Sequence, residues 1–309
     1  VKENNFLGRV VKLDANLQFS ETAIRGRFSV VNPNYNYSGN EIRFTAQSTR
    51  TSKMATFGYD SSKTGFSLGT TFEQYEDIFI SPEISAYYES LSTNDNASTA
   101  LKQQEGTYID TELRYSVIQD KRDQSFKPTE GYRASFNQKL PLYSESPSLI
   151  NGIDYSAYHS FSDNFIGSLR FHGRTINSLS SSEDVKLSER LWIPGRYLRG
   201  FEVGKIGPVD ASDYIGGNYV TALGFNAALP KLLPNLTNAD VSLFLDTGNV
   251  WGIDYDTNID ESNKLRSAFG VSVDWFTPIG PLSFSFSEAI TSASTDKPES
   301  FRFNIGTTF

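Results

Sequence analysis

Cysteine is missing altogether from this 309-residue chain, which removes disulfides and thiolate metal sites from consideration and is compatible with an oxidising compartment. Histidine is almost as scarce: only His159 and His172 occur. Both stand inside alternating apolar/polar stretches, and no Gly-x-Ser-x-Gly or His-Glu-x-x-His pattern accompanies them, so nucleophilic and zinc-dependent catalysis have no support. Gly204-Lys205-Ile206-Gly207-Pro208 lacks the spacing of a phosphate-binding loop. The expectation is a non-enzyme with no catalytic residue, no metal and no cofactor. Cations are outnumbered, 28 Lys and Arg against 36 Asp and Glu for a net charge of -8, which argues against nucleic acid as a partner. No run approaches the roughly 18 apolar residues of a membrane helix, so any spanning falls to strands. Val1 opens without a signal-peptide pattern, so an export leader, if there is one, has been removed or lies outside this stretch.

Aromatics are abundant, at 14%, in a chain that is only 38% hydrophobic with a mean hydropathy of -0.38. That pairing suits a barrel with polar residues inward, apolar residues outward and aromatic girdles. The pattern agrees. Val11, Leu13, Ala15, Leu17 and Phe19 alternate with Lys12, Asp14, Asn16 and Gln18. The alternation returns over 24–30, 42–46, 66–72, 84–88, 109–117, 132–140, 153–159, 169–174, 219–227, 241–245, 269–273 and 282–286. It ends with Phe301, Phe303, Ile305 and Phe309 facing one way and Arg302, Asn304, Gly306 and Thr308 the other. These make about fourteen segments, near the roughly 9–11 residues of a tilted membrane strand. Between them lie turns rich in Gly, Asn, Asp, Ser and Pro. A soluble sandwich rarely needs so many long strands, so the expectation is all-β: an antiparallel transmembrane β-barrel over 1–309. Phe19, Tyr132, Trp275 and Phe309 flank strands where headgroups would lie.

One stretch, about 177–213, has little strand pattern and is far longer than an ordinary connection. Its centre, Leu191-Trp192-Ile193-Pro194-Gly195-Arg196-Tyr197-Leu198-Arg199-Gly200-Phe201, is too aromatic for a solvated linker. It reads either as a sticky surface loop or as a plug folded into a polar lumen, where a buried arginine needs an acid on the wall. Asp246 is a candidate for that acid. With Val241, Leu243 and Leu245 facing lipid, Ser242, Phe244 and Asp246 point inward.

Leu198-Arg199-Gly200-Phe201 resembles the (V/I/L)RGF inner-loop motif of the BamA family of outer-membrane β-barrel assembly proteins. Further segments resemble that family in the same order: Asn5-Phe6-Leu7-Gly8, Asp120-Lys121-Arg122-Asp123 with Pro128-Thr129-Glu130-Gly131, Gly216-Gly217-Asn218, Asp246-Thr247-Gly248-Asn249-Val250-Trp251, Phe276-Thr277-Pro278-Ile279-Gly280-Pro281-Leu282, and Phe303-Asn304-Ile305-Gly306. The resemblance implies that Arg199 meets the inner wall at Asp246. A second wall acid of the family falls on Asn226, which is neutral and stands as a hydrogen-bond partner instead.

It also implies a sixteen-strand barrel in the bacterial outer membrane, a long loop in its lumen, and insertion of nascent barrels through a seam between first and last strands. The partners would be unfolded outer-membrane proteins bearing a carboxyl-terminal strand signal, periplasmic accessory lipoproteins and the lipid bilayer. Phe301, Phe303, Ile305, Gly306 and Phe309 would form the seam strand, with Gly306 either weakening its pairing or making room for an interior side chain. A two-partner secretion transporter or a porin-like channel is the alternative. By the same resemblance Val1 to Asn5 is the tail of the second strand and Arg9 to Phe19 the third, so periplasmic domains, strand one and most of strand two precede this fragment. An edge left open in lipid would not be stable alone.

Overall fold

A computed structural model of the chain describes residues 1–6, 8–20, 23–53, 58–181, 184–210, 212–230, 232–233, 238–254, 263–277 and 280–305. Fifteen strands form one antiparallel meander, each hydrogen-bonded to the next in sequence. They are β1 (Lys2–Phe6), β2 (Val11–Phe19), β3 (Ala23–Asn32), β4 (Glu41–Lys53), β5 (Tyr59–Tyr75), β6 (Ile78–Thr93), β7 (Gly106–Asp120), β8 (Gly131–Ser144), β9 (Ser148–Ser162), β10 (Phe165–Ser178), β13 (Tyr219–Leu229), β14 (Ala239–Trp251), β15 (Arg266–Thr277), β16 (Gly280–Thr291) and β17 (Phe301–Ile305). A two-residue hairpin, β11 (Val209–Asp210) with β12 (Asp213–Tyr214), lies apart in the connection between β10 and β13. A four-residue helix, α1 (Thr99–Lys102), caps the β6–β7 loop, with the Ser98 hydroxyl accepting from the Leu101 amide.

The strands form because apolar and polar groups alternate, and burial shows which face is which. Phe28, Phe44, Phe66, Leu68, Ile84, Ile153, Phe225, Leu243, Leu245, Phe269, Val271 and Phe303 face outward and uncovered, while the neighbours Ser29, Thr45, Ser67, Ser85, Asp246, Ser272 and Arg302 are buried. This is the reverse of a water-soluble sheet, and it fits a barrel whose solvent outside is hydrocarbon. Inward hydroxyls bond across neighbouring strands, Ser29 to Thr45 at 3.2 Å and Ser242 to Ser272 at 2.7 Å. Outward rings pack in the same register, Phe284 against Phe303 and Phe286 against Phe301, each pair tilted with centroids 5.1 Å apart. Val241 shares the outward parity of Leu243 yet is buried.

Several strands outrun the sequence pattern. β5 has 17 residues where alternation is clear only over 66–72. At about 3.3 Å per residue this is about 50 Å of strand, which when tilted still exceeds the roughly 25 Å apolar band. The ends therefore stand in water, where alternation is not selected. β2 starts at Val11 rather than Arg9, because Gly8 and Val10, both with positive φ, make the turn. Of the girdle aromatics, Phe19 and Trp275 face outward, and the half-buried Tyr132 ring stacks on Tyr155 at 6.1 Å. Phe309 lies outside the described residues.

Antiparallel order puts the turns 33–40, 76–77, 121–130 and 163–164 on one rim, and the loops 94–105 and 292–300, with the described parts of 179–218 and 252–265, on the other. The apolar core lies between loop and wall, in two clusters. Tyr59, Leu91, Leu101, Leu187, Tyr214 and Ile215 pack under the loop rim. Deeper, Ile193, Leu198, Phe201 and Ile206 pack on Val220, Ala222, Val250 and Ala268.

Leu245 is paired with Phe225 and Phe269 at mid-strand on the outward face. Leu245→Arg should destabilise the barrel by about 2–4 kcal/mol, whereas Phe19→Arg at the rim should cost about 0–1 kcal/mol. Equilibrium urea unfolding in lipid vesicles measures both, and equal losses at the two positions would overturn the assignment of depth.

Candidate functional site: the lumenal loop and its wall

The connection between β10 and β13 spans 179–218, later at both ends than the pattern break at 177–213. Asn177 and Ser178 still pair with Leu149 and Ser148. At the far end Gly217 exchanges backbone bonds with Leu191, and Asn218 donates to the Gly252 carbonyl at 2.9 Å, so Gly216-Gly217-Asn218 is a clamp returning the loop to the wall.

At the centre of the loop Arg199 meets Asp246. The guanidinium donates from Nε to Oδ2 at 2.7 Å and from Nη2 to Oδ1 at 2.8 Å, and the Arg199 amide adds a third bond to Oδ2 at 3.0 Å. Arg199 is 3% exposed and Asp246 is 0% exposed. A bidentate, charge-assisted pair of this kind is among the stronger polar contacts available. The guanidinium also lies 3.6 Å from the ring centroid of Phe244, the previous inward residue of β14. Gly200 follows with φ +89°, and a Cβ there would come within 2.5 Å of the Ala268 Cβ. Leu198 and Phe201, both buried, anchor the flanks of the motif in the deeper apolar cluster.

Asn226 faces the same lumenal cavity as Arg199 and Arg170, but among the described residues it makes no hydrogen bond to the loop. The position that matters beside it is Gly224, which pairs with Arg170 on β10 and Asp246 on β14. A Cβ at Gly224 would lie 2.9 Å from the Asp246 carboxylate and 3.7 Å from the Arg170 guanidinium. The missing side chain is what lets the acid of one strand lie beside the arginine of the next but one.

Three further anchors were not read from the sequence. Lys186, 2% exposed, enters the charges of the opposite wall, 2.6 Å from Asp110 and 3.5 Å from Glu89, and lies 4.0 Å from Glu189 of the loop itself. Glu189 bonds Lys139 and the Ser148 hydroxyl, each at 2.5 Å. Burial pushes the Glu189 carboxyl up, but the ammonium groups of Lys139, Lys186 and Lys63 outweigh it and hold it at about 2. Burial likewise opposes the charge of Lys186, and Glu189, Glu89 and Asp110 raise its pKa overall. Arg190 reaches Asp254 at 2.5 Å and Asn218 at 3.0 Å. Lastly, Tyr197 stacks on His172 at 4.5 Å and donates to Asp154 at 3.3 Å, the acid that also meets His172 at 2.6 Å. His172 thus helps to hold the loop, while His159 lies 63% exposed beside Glu130.

The last described strand, β17, joins the same assembly from its inner face. Arg302 of β17 donates to the Gly195 carbonyl at 2.9 Å and to the Phe201 carbonyl, and its Nε bonds Glu299 at 2.7 Å. Phe301 and Phe303 face outward, and Ile305 pairs through its backbone with Leu282. Gly306 and Phe309 lie outside the described residues.

A family model described as the Omp85 superfamily domain matches residues 5–309. The chain belongs to the Omp85 superfamily. It is 26% identical over 220 residues to the outer membrane protein assembly factor BamA of Neorickettsia risticii, covering 69% of this chain and 29% of that protein. To BamA of Neisseria meningitidis it is 26% identical over 226 residues, covering 62% and 28%. The chain thus spans less than a third of the length of these relatives. In fold it is similar to BamA from Haemophilus ducreyi lacking POTRA domains 1–3, with a TM-score of 0.87 at 22% identity over 98% of this chain and 65% of that one. CdiB from Acinetobacter baumannii is a more distant likeness, at 0.57 and 13% over 97% and 54%. The motif resemblance to the BamA family and these similarities agree, and like other members of the Omp85 superfamily the chain is a β-barrel of the outer membrane.

Two outcomes follow from the anchors. Arg199→Ala and Asp246→Ala should each cost about 3–5 kcal/mol, since either leaves a buried charge unmatched. The double variant should lose little more, and a double-mutant cycle by urea unfolding with strictly additive losses would exclude a coupled pair. The second concerns acid. Glu189 has a depressed folded pKa, so its contribution is complete above about 4.5, its ordinary value, and is lost as pH falls toward about 2. The stability gap between the unaltered protein and Glu189→Gln should be constant down to about pH 4.5 and close below it; a gap that widens on acidification would contradict this.

Proposed function

We propose that this barrel assembles other outer-membrane proteins, inserting and folding nascent β-barrels through a lateral seam between its first and last strands. Its similarity to BamA proteins supports the reading. Unpaired backbone groups cannot face hydrocarbon, so a parted seam is a template for an incoming strand, and main-chain bonding of this kind accepts many sequences. The substrates would be unfolded outer-membrane proteins offering a carboxyl-terminal strand. Periplasmic accessory lipoproteins would deliver them, and the lipid bilayer would receive the product. No bond-making chemistry is required.

The observation that carries the reading is Arg302. The terminal strand is tied to the lumenal loop by side-chain bonds to the Gly195 and Phe201 carbonyls. Its inner face is therefore fixed by the same loop that Arg199 fixes to β14, while its outer face carries Phe301 and Phe303 toward lipid. Held from within, the strand can exchange edge partners without leaving the barrel. The rival readings, a two-partner secretion transporter or a porin-like channel, route traffic through a lumen that Arg199, Lys186 and the apolar clusters fill.

In vesicles reconstituted with the full-length protein and its accessory lipoproteins, Arg302→Ala should slow assembly of a model barrel substrate at least about tenfold, corresponding to about 1.4 kcal/mol. A cysteine at Phe303 should cross-link to the substrate's last strand. Free ion conductance by the unaltered protein, with assembly unaffected by Arg302→Ala, would favour the channel reading instead.

A further inference from the structure

The turn between β7 and β8, residues 121–130, is a firmly built arm with a lightly held tip. At its base the Lys121 amide donates to the Tyr132 carbonyl at 2.8 Å and the Asp123 amide to the Glu130 carbonyl at 3.1 Å. The Asp123 carboxylate closes the arm on itself, accepting from the Thr129 amide, the Thr129 hydroxyl and the Glu130 amide at 3.0, 2.7 and 3.2 Å. The Glu130 carboxylate in turn accepts from the Ser160 amide of β9 at 3.0 Å, which fixes the base to the near wall. The tip reaches the far wall by side chains. Lys127 pairs with Asp240 of β14 and lies 4.1 Å from the ring centroid of Phe276 on β15, and Phe126 meets the same ring edge-on at 5.3 Å.

Behind the arm lies a lumenal cavity of about 350 Å³, bounded by Lys127 and Thr129 of the arm, by Arg199 of the loop, and by Ser168, Asp240 and Asp274 of the wall. Asp240 and Asp274 stand directly opposite each other in the β14–β15 register. Like charges so placed repel, and Lys127 brings a positive charge to them from across the mouth. The two ion pairs that bound the cavity differ in strength. Arg199 and Asp246 have side chains 3% and 0% exposed, against 34% and 21% for Lys127 and Asp240, and a partly exposed pair is worth less and is screened by salt. The Lys127 contact therefore parts first. We propose that the 121–130 arm is a lid: release of Lys127 from Asp240 and Phe276 opens the cavity beneath Arg199 to water at the turn rim while the loop keeps its place. Closed, the arm ties β7 and β8 to β14 and β15, so that this mouth widens only after the tip lets go. The lid acts in the same way whether the barrel assembles proteins or conducts solutes.

The test uses the full-length protein in nanodiscs, with Ser168→Cys as a reporter inside the cavity. These 309 residues hold no cysteine of their own, and labelling by a membrane-impermeant methanethiosulfonate is read by mass spectrometry at the peptide bearing position 168. Where opening and closing are fast, the labelling rate follows the open fraction. Lys127→Glu sets a third carboxylate beside Asp240 and Asp274 and should speed labelling at least about tenfold. Adding Asp240→Lys to it should return the rate to that of the reporter alone. Sodium chloride at about 1 M, where the screening length falls to about 3 Å, should speed labelling of the reporter but not of the Lys127→Glu variant. Lys127→Gln removes the charge without adding repulsion, so a smaller acceleration is expected, with amide exchange over 191–201 unaltered because the loop has not moved. A labelling rate that Lys127→Glu and Lys127→Gln both leave unchanged, an acceleration that the swapped pair does not reverse, or faster exchange over 191–201 in step with labelling overturns the proposal.

Discussion

The ion pair between Arg199 and Asp246 is the contact on which the arrangement of the interior depends. Neither partner has bulk water in reach, and each would be costly alone. Two side-chain bonds and one backbone bond satisfy the carboxylate, and the aromatic face of Phe244 takes the other side of the guanidinium. A buried pair adds little net stability compared with a well-packed apolar pair, but it tolerates only one geometry. Here that geometry fixes the loop's depth and register, because Gly200 turns directly after Arg199 and leaves no room for a Cβ against Ala268. Leu198 and Phe201 then fall onto β13 to β15, and Ile193 and Ile206 complete the cluster.

The wall imposes the need for such a loop. A barrel of this girth turns its polar side inward, and without filling its lumen would be a water channel. The loop fills it with a mixed interior: apolar clusters on β13 to β16 and under the loop rim, and charges of both signs where it crosses β6 to β8. Lys186 and Glu189 lie one turn apart around a short 3-10 helix, Leu187–Glu189, so they face wall charges in alternation. At the opposite rim the 121–130 turn crosses the mouth, with Lys127 paired to Asp240 and stacked on Phe276 at 4.1 Å, and with Phe126 edge-on to the same ring at 5.3 Å. Both mouths are therefore crossed by chain that is bonded to the far wall.

The wall was readable from the sequence and the interior largely was not, for a physical reason. Strand alternation reports which medium each residue meets, so Phe28 and Ser29, or Phe303 and Arg302, declare their faces without any knowledge of partners. Where strands stand in water the signal fades, hence the long β5 seen only over its middle. The Arg199 motif stood out because an arginine between aromatics and glycines is unusual in a loop, and the parity of β14 aimed Asp246 inward. Arg302 was equally legible as inward, but its acceptors are the Gly195 and Phe201 carbonyls, and backbone carries no sequence label. Lys186 and Glu189 sit in a stretch without periodicity, where nothing distinguishes a plug residue from a solvated one. Asn226 drew attention through the family pattern, whereas the consequential position was Gly224, whose effect is an absence of atoms beside Asp246.

These features together make the terminal strand and the loop a single mechanical unit. Arg302 bonds two carbonyls on either side of Arg199 in sequence, and Glu299, one turn before Arg302, donates its amide to the Gly200 carbonyl at 3.0 Å. The Glu202 amide donates to the Lys297 carbonyl at 2.9 Å and the Lys297 amide to the Lys205 carbonyl at 3.1 Å, so the β16–β17 loop and the plug share a short backbone ladder. A shift of the plug must therefore move the approach to β17 or break these bonds together. The terminal strand has only one described neighbour, β16, and a strand so placed is governed on its free side by whatever edge meets it and on its inner side by the loop. Asp246 on β14 is connected to Arg302 on β17 through Arg199, Gly200 and Phe201, by contacts that are all buried and all bonded.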